Sequence, residues 1–479
     1  MRLNKFIKLL LAFIIFLFSA CQKFISVAPP VTSITSTSAY ASDATAAAVL
    51  TGIYTDISGT LSTSVNKFRF LSLYAGLSAD EFTLWTNITD NQGLLYYTNA
   101  LISSPNLTVG GDFWSSLYPY IFTCNSAVEG LNQPATLTPA VRKQLLGEAK
   151  FMRALFYFYL VNLYGDVPLA LGSDYEVNRK LPRSPSAEVY KQIILDLQSA
   201  DSLLSPEYLD GSLLSTTSER VRPTQAAATA LLARVYLYMG DWVNAEASAT
   251  AVISNPAYSL ETDLNSVFLS NNNEAIWQLQ PVIFGDNTEE ARIFIIPPTG
   301  PSDDFYTNPV YLSKNQLAAF EPNDNRRVNW VDSSIVSNDT FYYPYKYKVN
   351  AIGSPVTEYL TVLRLAEQYL IRAEARTQQN EIIGAQIDIN AIRSRAGLQN
   401  TIASDQSSLL TAILHERQVE LFTEWGHRWL DLKRAGTVNS VMSIVTPQKG
   451  GTWNTNWQWY PLPYSDLQNA PQLKQNSGY

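Results

Sequence analysis

The stretch ALLARVYLYMGDWVNAEASATAVI, residues 230–253, decides the fold. It predicts two helices joined by a tight turn at Gly240-Asp241, because glycine commonly ends a helix. Small residues recur along both helices at Ala233, Ala245 and Ala249. Two antiparallel helices can approach closely only where their side chains are small, so these alanines mark the crossing points. The stretch therefore predicts a helical hairpin.

The same plan recurs later in the chain, in YLIRAEARTQQNEIIGAQIDINAIRSRAG at residues 369–397. Ala373 and Ala385 are twelve residues apart, as are the matching alanines of the first hairpin, and this spacing is that of the tetratricopeptide pattern. Residues 145–164 are apolar nearly all round, which predicts a buried helix whose partner is displaced by a loop. Residues 187–204 predict another amphipathic helix. We expect a mostly α protein, built as a tetratricopeptide-like scaffold of helical pairs with insertions.

Two long insertions, residues 58–120 and 271–363, differ from the scaffold in composition. They are rich in Asn, Pro and Tyr and contain only short strand-like pieces, so we expect them to be irregular and strand-poor. A compact protein rarely keeps such long irregular segments without use. The insertions are therefore the expected place of a binding site.

The N-terminus has the features of a bacterial lipoprotein signal. After a basic start, residues 9–18 form an unbroken apolar run that is half as long as the roughly 20 residues of a membrane-spanning helix. Such a run predicts the hydrophobic region of a secretory signal. The small pair Ser19-Ala20 precedes Cys21, which resembles the lipobox, although Phe18 stands where leucine is usual. The alternative is an uncleaved N-terminal anchor with an incidental cysteine.

These features divide the chain into three expected parts. Residues 1–20 are a signal peptide, residues 21–40 are a lipidated Cys21 with a Pro/Ser/Thr-rich tether, and residues 41–479 are a single domain. Two or three acyl chains, at ~0.8 kcal/mol per buried methylene, hold such a body on a membrane. Loss of the three basic residues of the signal takes the formal net charge from −8 to −11. An acidic body without a basic stripe predicts no nucleic-acid partner.

Several stretches, in order along the whole chain, resemble the SusD/RagB family of surface-exposed nutrient-binding lipoproteins. The resemblance implies four tetratricopeptide-like units packed against an irregular region, and no catalysis. It also implies a SusC-like TonB-dependent outer-membrane transporter as partner, with ligand bound at the interface. Gln22-Lys23-Phe24 lack the acidic run often associated with surface export, so display on the cell exterior rests on the resemblance. The stretches are the signal with Cys21, EAKFMRALFYFYLVNLYGDVPL (148–169), RPTQAAATALLARVYLYMGDWVNA (222–245), YLIRAEA (369–375), HERQVELFTEWGHRWLDLKRAG (415–436) and WYPLPYSDLQNAPQLKQNSGY (459–479).

The two histidines do not predict a metal centre. HERQV, residues 415–419, begins like the zinc-protease pattern H-E-x-x-H, but Val419 stands in place of the second ligand. His427 is the only other imidazole besides His415, and a zinc site normally takes three or four ligands. We therefore predict no metal and no cofactor.

The carboxylates do not identify a catalytic pair. A glycosidase needs two carboxylates ~5 to 9.5 Å apart across one sugar bond. The candidates are Asp80-Glu81, Asp303-Asp304, and Glu416 with Glu420. The last pair is expected instead to join an ion network of the C-terminal helices. The partners expected there are Arg417, Arg428, Asp431 and Arg434. We predict no catalytic residue.

Aromatic residues of the insertions are the better candidates for a ligand site. A sugar ring offers apolar faces on which a flat side chain stacks, and hydroxyls that Asn, Asp or Arg can reach. Trp85 is the first choice, because in SusD-like proteins a tryptophan of this early segment can face ligand. The other predicted ligand-binding residues are Asn87, Tyr96, Phe305, Tyr306, Tyr311 and, for hydroxyls, Asp80, with Trp330 as a weaker candidate. Burial is the alternative for each ring, and it is expected for Trp114, Trp242, Trp277, Trp425 and Trp429.

The expected function is that of a cell-surface lipoprotein, anchored to the outer membrane, which binds oligosaccharide and delivers it to a TonB-dependent transporter. A peptide-binding member of the same family is one alternative. A lipid-anchored glycosidase and a tetratricopeptide scaffold that binds only protein are the others. The sequence does not identify the ligand, because binding loops vary freely on a persisting frame.

Overall fold

The computed structural model describes residues 39–59, 67–133 and 136–479. Helices form most of this part of the chain, and the strands are short. The helices are α1 (Asp43–Ser58), α2 (Leu71–Ser78), α3 (Asn91–Tyr97), α4 (Asp112–Asn132), α5 (Pro139–Tyr164), α6 (Tyr175–Asn178), α7 (Ser186–Leu203), α8 (Gln225–Met239), α9 (Trp242–Ile253), α10 (Glu289–Phe294), α11 (Lys314–Ala319), α12 (Asn325–Asn329), α13 (Leu365–Gln378), α14 (Ile382–Arg395), α15 (Gln406–Glu420), α16 (His427–Arg434), α17 (Val438–Gln448) and α18 (Tyr464–Asn469). The strands are β1 (Phe82–Leu84), β2 (Ile102–Ser103), β3 (Thr108–Val109), β4 (Ala275–Leu279), β5 (Val310–Leu312), β6 (Val331–Val336), β7 (Asp339–Pro344) and β8 (Leu360–Arg364).

The hairpin predicted from the first quoted stretch is confirmed as α8 and α9. Thr224 caps the start of α8, and Gly240 ends it with a φ of 71°, a left-handed conformation that glycine adopts without strain. Asp241 then caps α9. Ala233 and Ala245 are fully buried. Their small side chains let the two helices pack closely, as the alanine spacing predicts.

The other predicted helical pairs are present too. Residues 145–164 lie in α5, which packs against α7 across an intervening segment, so the displaced partner is confirmed. Ala373 of α13 and Ala385 of α14 are buried, as their counterparts are. Each helix of the series contacts the next one, so the helices form a continuous stack. The series is α4, α5, α7, α8, α9, α13, α14 and α15. The mostly α, tetratricopeptide-like fold is thereby confirmed.

The two insertions are more ordered than the sequence predicts. Their strands form antiparallel pairs: β1 with β5, β2 with β3, β4 with β8, and β6 with β7. In the first pair Phe82 lies opposite Leu312, so this ribbon joins the two insertions although they are far apart in sequence. In the third pair the β4 residue Trp277 is fully buried. Tertiary packing orders these segments, because short strands have no stability on their own.

A set of buried ion pairs, the charged core, ties the C-terminal helices together. Glu420 accepts hydrogen bonds from Arg326 at 3.0 Å and Arg364 at 2.6 Å, and also pairs with Arg395. Glu416 pairs with Arg326 at 2.6 Å. Burial alone would raise the pKa of Glu420, but the surrounding guanidinium groups hold that pKa well below its usual value. The charged core therefore exists only because each charge is paired.

The predicted ion network is thus correct in kind but wrong in its partners. Arg417 pairs with Asp431 at 2.8 Å, and Arg428 pairs with Asp80 at 2.7 Å. Neither arginine has an ion pair with Glu416 or Glu420 among the described residues. The partners of these glutamates come instead from β8, α12 and α14, which the chain order alone could not place beside α15.

The predicted signal peptide and Cys21 lie outside the described residues. Of the predicted tether, Ala39 and Tyr40 are described, and both are buried against the body. No helix in the described ranges combines the length and apolar character that a bilayer crossing requires. The division into signal, tether and single domain stays a prediction.

Candidate functional site

Trp85 and Tyr311 are brought together by the ribbon of β1 and β5. The Trp85 amide donates to the Pro309 carbonyl at 2.8 Å, which continues the ladder by one residue. The ring of Phe341, on β7, meets Trp85 edge-on at 5.5 Å between centroids and Tyr311 at 5.2 Å. These three rings, the aromatic platform, combine two predicted residues with one that sequence reasoning missed.

The indole of Trp85 is held in one orientation and remains partly exposed. Its Nε1 donates to Asp303 Oδ1 at 2.8 Å, so both the ring edge and the ring face have a fixed direction. Asn87, two residues further along the chain, and Asp303, the hydrogen-bond acceptor, are both exposed. A flat ring with adjacent amide and carboxylate groups is the arrangement that a sugar requires.

A second group, the Tyr306 cluster, consists of Tyr306, Lys67 and Gln92. The Tyr306 side chain is 37% exposed, and its hydroxyl donates to Gln92 Oε1 at 3.1 Å. Lys67 Nζ lies 4.4 Å from the Tyr306 ring centroid and also contacts the Tyr306 hydroxyl. Phe70 supports the ring from behind at 5.2 Å. Tyr306 is therefore an exposed ring on a fixed base.

Tyr96 and Phe305 are buried, which corrects the prediction that they contact ligand. Tyr96 is completely inaccessible, and its hydroxyl donates to Asp112 at 3.1 Å. Phe305 packs against Tyr74 at 5.6 Å between centroids and covers Gly93, where an added Cβ would lie 2.2 Å from the Phe305 ring. Both rings form the backing of the site. Trp330 is likewise buried, and its Nε1 donates to a backbone carbonyl.

Asp80 is also corrected, because its carboxylate is used inside the protein. Arg428 binds both of its oxygens, at 2.7 and 2.8 Å. Burial would raise the pKa of Asp80, but the hydrogen bonds and charge of Arg428 lower it. The neighbouring Glu81 accepts a hydrogen bond from the Thr423 amide at 2.9 Å but has no ion pair among the described residues, and burial raises its pKa to about 7. Asp80 therefore holds Arg428 in place, and each of its oxygens already accepts a hydrogen bond from that guanidinium group.

A cleft of about 640 Å³, the tyrosine cleft, opens beside the aromatic platform. Tyr97, Tyr311 and Tyr342 line it together with the hydroxyls of Thr83 and Ser313. Asp80 and Lys449 form part of its wall. Lys449 Nζ donates to the carbonyl of Leu77 at 2.7 Å, and burial lowers its pKa to about 7. The cleft offers aromatic side chains and polar groups to a ligand, including the exposed Lys314.

Lys67 also lines a second cleft, of about 710 Å³. We call it the hairpin cleft, because the β2–β3 turn at residues 104–108 forms one wall. Ser115, Ser116 and Asp112 of α4 form another wall. Lys67 thus belongs to the Tyr306 cluster and to this cleft at once.

The remaining predictions separate by burial. Trp114, Trp277, Trp425 and Trp429 are core residues as expected, whereas Trp242 is only half-buried. His415 Nε2 lies 2.7 Å from the Ala319 carbonyl oxygen. No group of three or more His, Cys, Asp or Glu side chains that could hold a metal ion is found in the described ranges.

Sequence reasoning missed Lys67, Gln92, Phe341 and Tyr342. The aromatic run FYYPYKYK, residues 341–348, was the available signal for the last two, although consecutive residues of a strand point to opposite faces. Lys67 and Gln92 carry no such signal, since they meet Tyr306 only through the tertiary fold.

Two family models match the chain. One, described as "Starch-binding associating with outer membrane", matches residues 29–237, and the other, described as "SusD family", matches residues 331–479. Two curated relatives illustrate the range of sequence similarity. SusD-like protein P2 of Formosa agariphila is 29% identical over 437 residues, 78% of this chain and 83% of the relative. The starch-binding protein SusD of Bacteroides thetaiotaomicron is 25% identical over 436 residues, 73% and 75% of the two chains.

Solved structures share the fold. A SusD superfamily protein from Bacteroides vulgatus aligns with a TM-score of 0.75 at 21% identity, over 91% of this chain and 99% of the other. A laminarin-binding SusD-like protein aligns with a TM-score of 0.74 at 24% identity, over 91% and 99%. The described architecture is therefore that of this group of proteins.

Proposed function

Since the chain belongs to the SusD/RagB family, we propose that it binds oligosaccharide on the aromatic platform and the Tyr306 cluster, and delivers it to a TonB-dependent transporter. Proteins of this family bind carbohydrate in association with the outer membrane and are not enzymes. The names of two structural neighbours, a laminarin-binding protein and a surface glycan-binding protein, also describe binding. The ligand, the residues that contact it and the delivery step are the proposal.

The observation that carries the proposal is the partly exposed, fixed indole of Trp85. Its hydrogen bond to Asp303 and its edge contact with Phe341 hold the ring without covering it. A ring fixed before binding loses little conformational entropy when a sugar stacks on it. Tyr306 offers a second exposed ring, and Asn87 an amide for hydroxyls.

The state of the carboxylates supports binding rather than hydrolysis. Glu416 and Glu420 are buried within the charged core, and Asp80 is held by Arg428. Asp303 is exposed but accepts the Trp85 hydrogen bond. General acid catalysis needs a carboxyl group positioned at the leaving oxygen, and these groups are engaged elsewhere.

Affinity electrophoresis of the purified protein in gels that contain single glycans tests the proposed ligand class. We expect retention by at least one glycan, no release of reducing sugar, and about five- to 150-fold weaker binding by Trp85→Ala, if a sugar stacks on the ring as strongly as a nucleobase does, at ~1–3 kcal/mol. Trp457→Ala is the matched control, since Trp457 is half-buried but lines neither cleft. Equal retention of Trp85→Ala and native protein contradicts the proposed site, and retention by peptide alone contradicts the ligand class.

The anchor and the partner have a separate test. We propose that Cys21 is acylated and that the body faces the cell exterior, as the family resemblance implies. Cys21→Ser should move the protein from the outer-membrane fraction to the soluble fraction. Protease applied to intact cells should degrade the native protein, and a TonB-dependent barrel should co-purify with it in detergent. A native protein that resists protease and purifies without a barrel contradicts this part.

A further inference from the structure

We infer that the bound oligosaccharide carries acidic sugar units, and that Lys67 receives their anionic group. The inference rests on the proposed function, because it names the substrate class of the same surface. The anionic group is a carboxylate or a sulfate ester, which an ammonium group recognises in the same way.

Lys67 is a buried ammonium group held only by neutral partners. The residue is 7% exposed. Its Nζ donates to Gln92 Oε1 at 3.2 Å and contacts the hydroxyl of Tyr306. An ammonium group has three N–H donors, so these two partners leave one donor without an acceptor among the described residues.

No carboxylate of the protein neutralises this charge. Among the described residues, no Asp or Glu oxygen lies within 4 Å of Lys67 Nζ, and Lys67 has no ion pair. Residues 1–38, 60–66 and 134–135, which lie outside the described ranges, contain no Asp or Glu at all. The chain therefore supplies no counter-charge to Lys67, and an anionic ligand group at Nζ would lower the cost of burying this charge.

Most buried basic side chains of the described ranges pair with a carboxylate, and Arg220, the exception besides Lys67, donates to the backbone carbonyls of Ala275 and Ala257. Arg153, Arg234 and Arg417, all buried, each pair with a carboxylate at 2.6 to 2.8 Å. The buried Lys346 pairs with Glu424 at 2.5 Å. Lys67 departs from this pattern at the place where exposed aromatic rings mark a binding surface.

The surroundings of Lys67 suit a hydroxylated anion. The nearest acidic side chain in its network is Asp112, which is separated from Lys67 by Gln92 and accepts hydrogen bonds from Gln92, Tyr96 and the Gly110 amide. Ser115 and Ser116 line the hairpin cleft beside Lys67, together with the basic Arg69 and the acidic Asp56. A sugar unit stacked on Tyr306 could place its anionic group at Lys67 and its hydroxyls toward these serines.

The test compares neutral and acidic polymers on the full protein. Affinity electrophoresis is run with laminarin as a neutral glycan, polygalacturonate as a uronate and carrageenan as a sulfate ester. We expect the native protein to bind at least one acidic polymer more tightly than laminarin, and 0.5 M NaCl to weaken that preference, because salt screens the charge. Lys67→Met should lower the acidic-to-neutral affinity ratio about tenfold, and Lys67→Arg should keep most of it.

Lys191→Met, which removes an exposed lysine of α7 that lines neither cleft, is the control and should keep the native ratio. Retention by polygalacturonate alone identifies a carboxylate, and retention by carrageenan alone a sulfate ester. Retention by laminarin alone overturns this inference while the proposed function stands. A Lys67→Met variant that loses neutral and acidic binding equally also overturns it, since Lys67 then only supports Tyr306. Retention by no glycan overturns the proposed function itself.

Discussion

The charged core and the Tyr306 cluster both bury charged groups, but the buried charges are paired with opposite charges only in the charged core. In the charged core Glu420 meets the guanidinium groups of Arg326, Arg364 and Arg395. In the Tyr306 cluster Lys67 meets an amide oxygen and a phenol. One region satisfies its charges internally, and the other leaves a charge for a partner.

This difference indicates which region is structural and which can bind. A buried charge costs several kcal/mol to desolvate, and only a well-placed partner repays that cost. The charged core therefore locks β8, α12, α14 and α15 into one arrangement and has no capacity for a ligand. In the Tyr306 cluster, one N–H donor of Lys67 Nζ has no acceptor among the described residues and lies beside an exposed ring, as expected of a binding site.

Breaking the charged core should have the largest effect. Glu420→Gln removes the carboxylate shared by three guanidinium groups, so we expect a loss of about 3–5 kcal/mol in the free energy of unfolding. Urea unfolding followed by circular dichroism measures it. Glu176→Gln is the control, because Glu176 forms an exposed pair with Arg179 and such pairs contribute little. Equal effects of the two substitutions would remove the distinction between structural and surface charges.

Glu290 sharpens the comparison through its pH dependence. Burial raises the pKa of this α10 residue to about 8, and its Oε2 has no hydrogen-bond partner among the described residues. The folded state therefore keeps a proton on Glu290 that the unfolded state releases above about pH 4.5. Because the folded state binds more protons, the free energy of unfolding falls as the pH rises from about 4.5 to about 8.

The side chain of the Glu290→Gln variant cannot ionise. The difference in free energy of unfolding between this variant and the unsubstituted protein should therefore rise by up to about 1.4 kcal/mol per pH unit in that range. Thermal unfolding at pH 5, 6, 7 and 8 gives the difference. A constant difference across this range would show that Glu290 does not titrate as described.

The backing of the site can be broken at Gly93. An added Cβ would lie 2.2 Å from the Phe305 ring, so Gly93→Ala should force Phe305 to move and destabilise the protein by about 1–3 kcal/mol. It should also weaken glycan retention, because Phe305 contacts Tyr306 at 5.4 Å between centroids. Gly52→Ala is the matched control, because Gly52 also lies in a helix, α1, and nothing lies within 4 Å of the added Cβ. If Gly93→Ala is retained as strongly as the unsubstituted protein, the buried ring of Phe305 does not support the binding surface.

The smallest expected effect is at Asp303. Asp303→Ala removes the acceptor of the Trp85 indole N–H but keeps the ring, so we expect glycan affinity to fall only about threefold, with an unchanged melting temperature. Titration calorimetry with the retained glycan measures the loss. Thr89→Ala, an exposed residue of the same insertion, serves as control. A loss as large as that of Trp85→Ala would mean that Asp303 contacts the glycan directly.

Much of the scaffold could be predicted, because its signals are local. Gly240 and the alanines of α8 and α9 specify a hairpin within 24 residues, and the apolar length of α5 specifies a buried helix. The site was predicted less well. Trp85, Tyr306 and Tyr311 are at least partly exposed, but Tyr96 and Phe305 have the same composition signal and are buried. Composition does not distinguish a ring that faces solvent from one that supports it.

The sequence by itself determined the helical pairs, since the spacing of small and apolar residues along one helix already states which face is buried. Only the tertiary structure decided the charged core and the site. Arg326 and Arg364 reach Glu420 across 94 and 56 residues, and Lys67 reaches Tyr306 across 239. Such meetings depend on how β1 pairs with β5 and how the helices stack, and no periodicity along the chain records them. Burial and charge pairing belong to the folded molecule, because they are properties of neighbours in space.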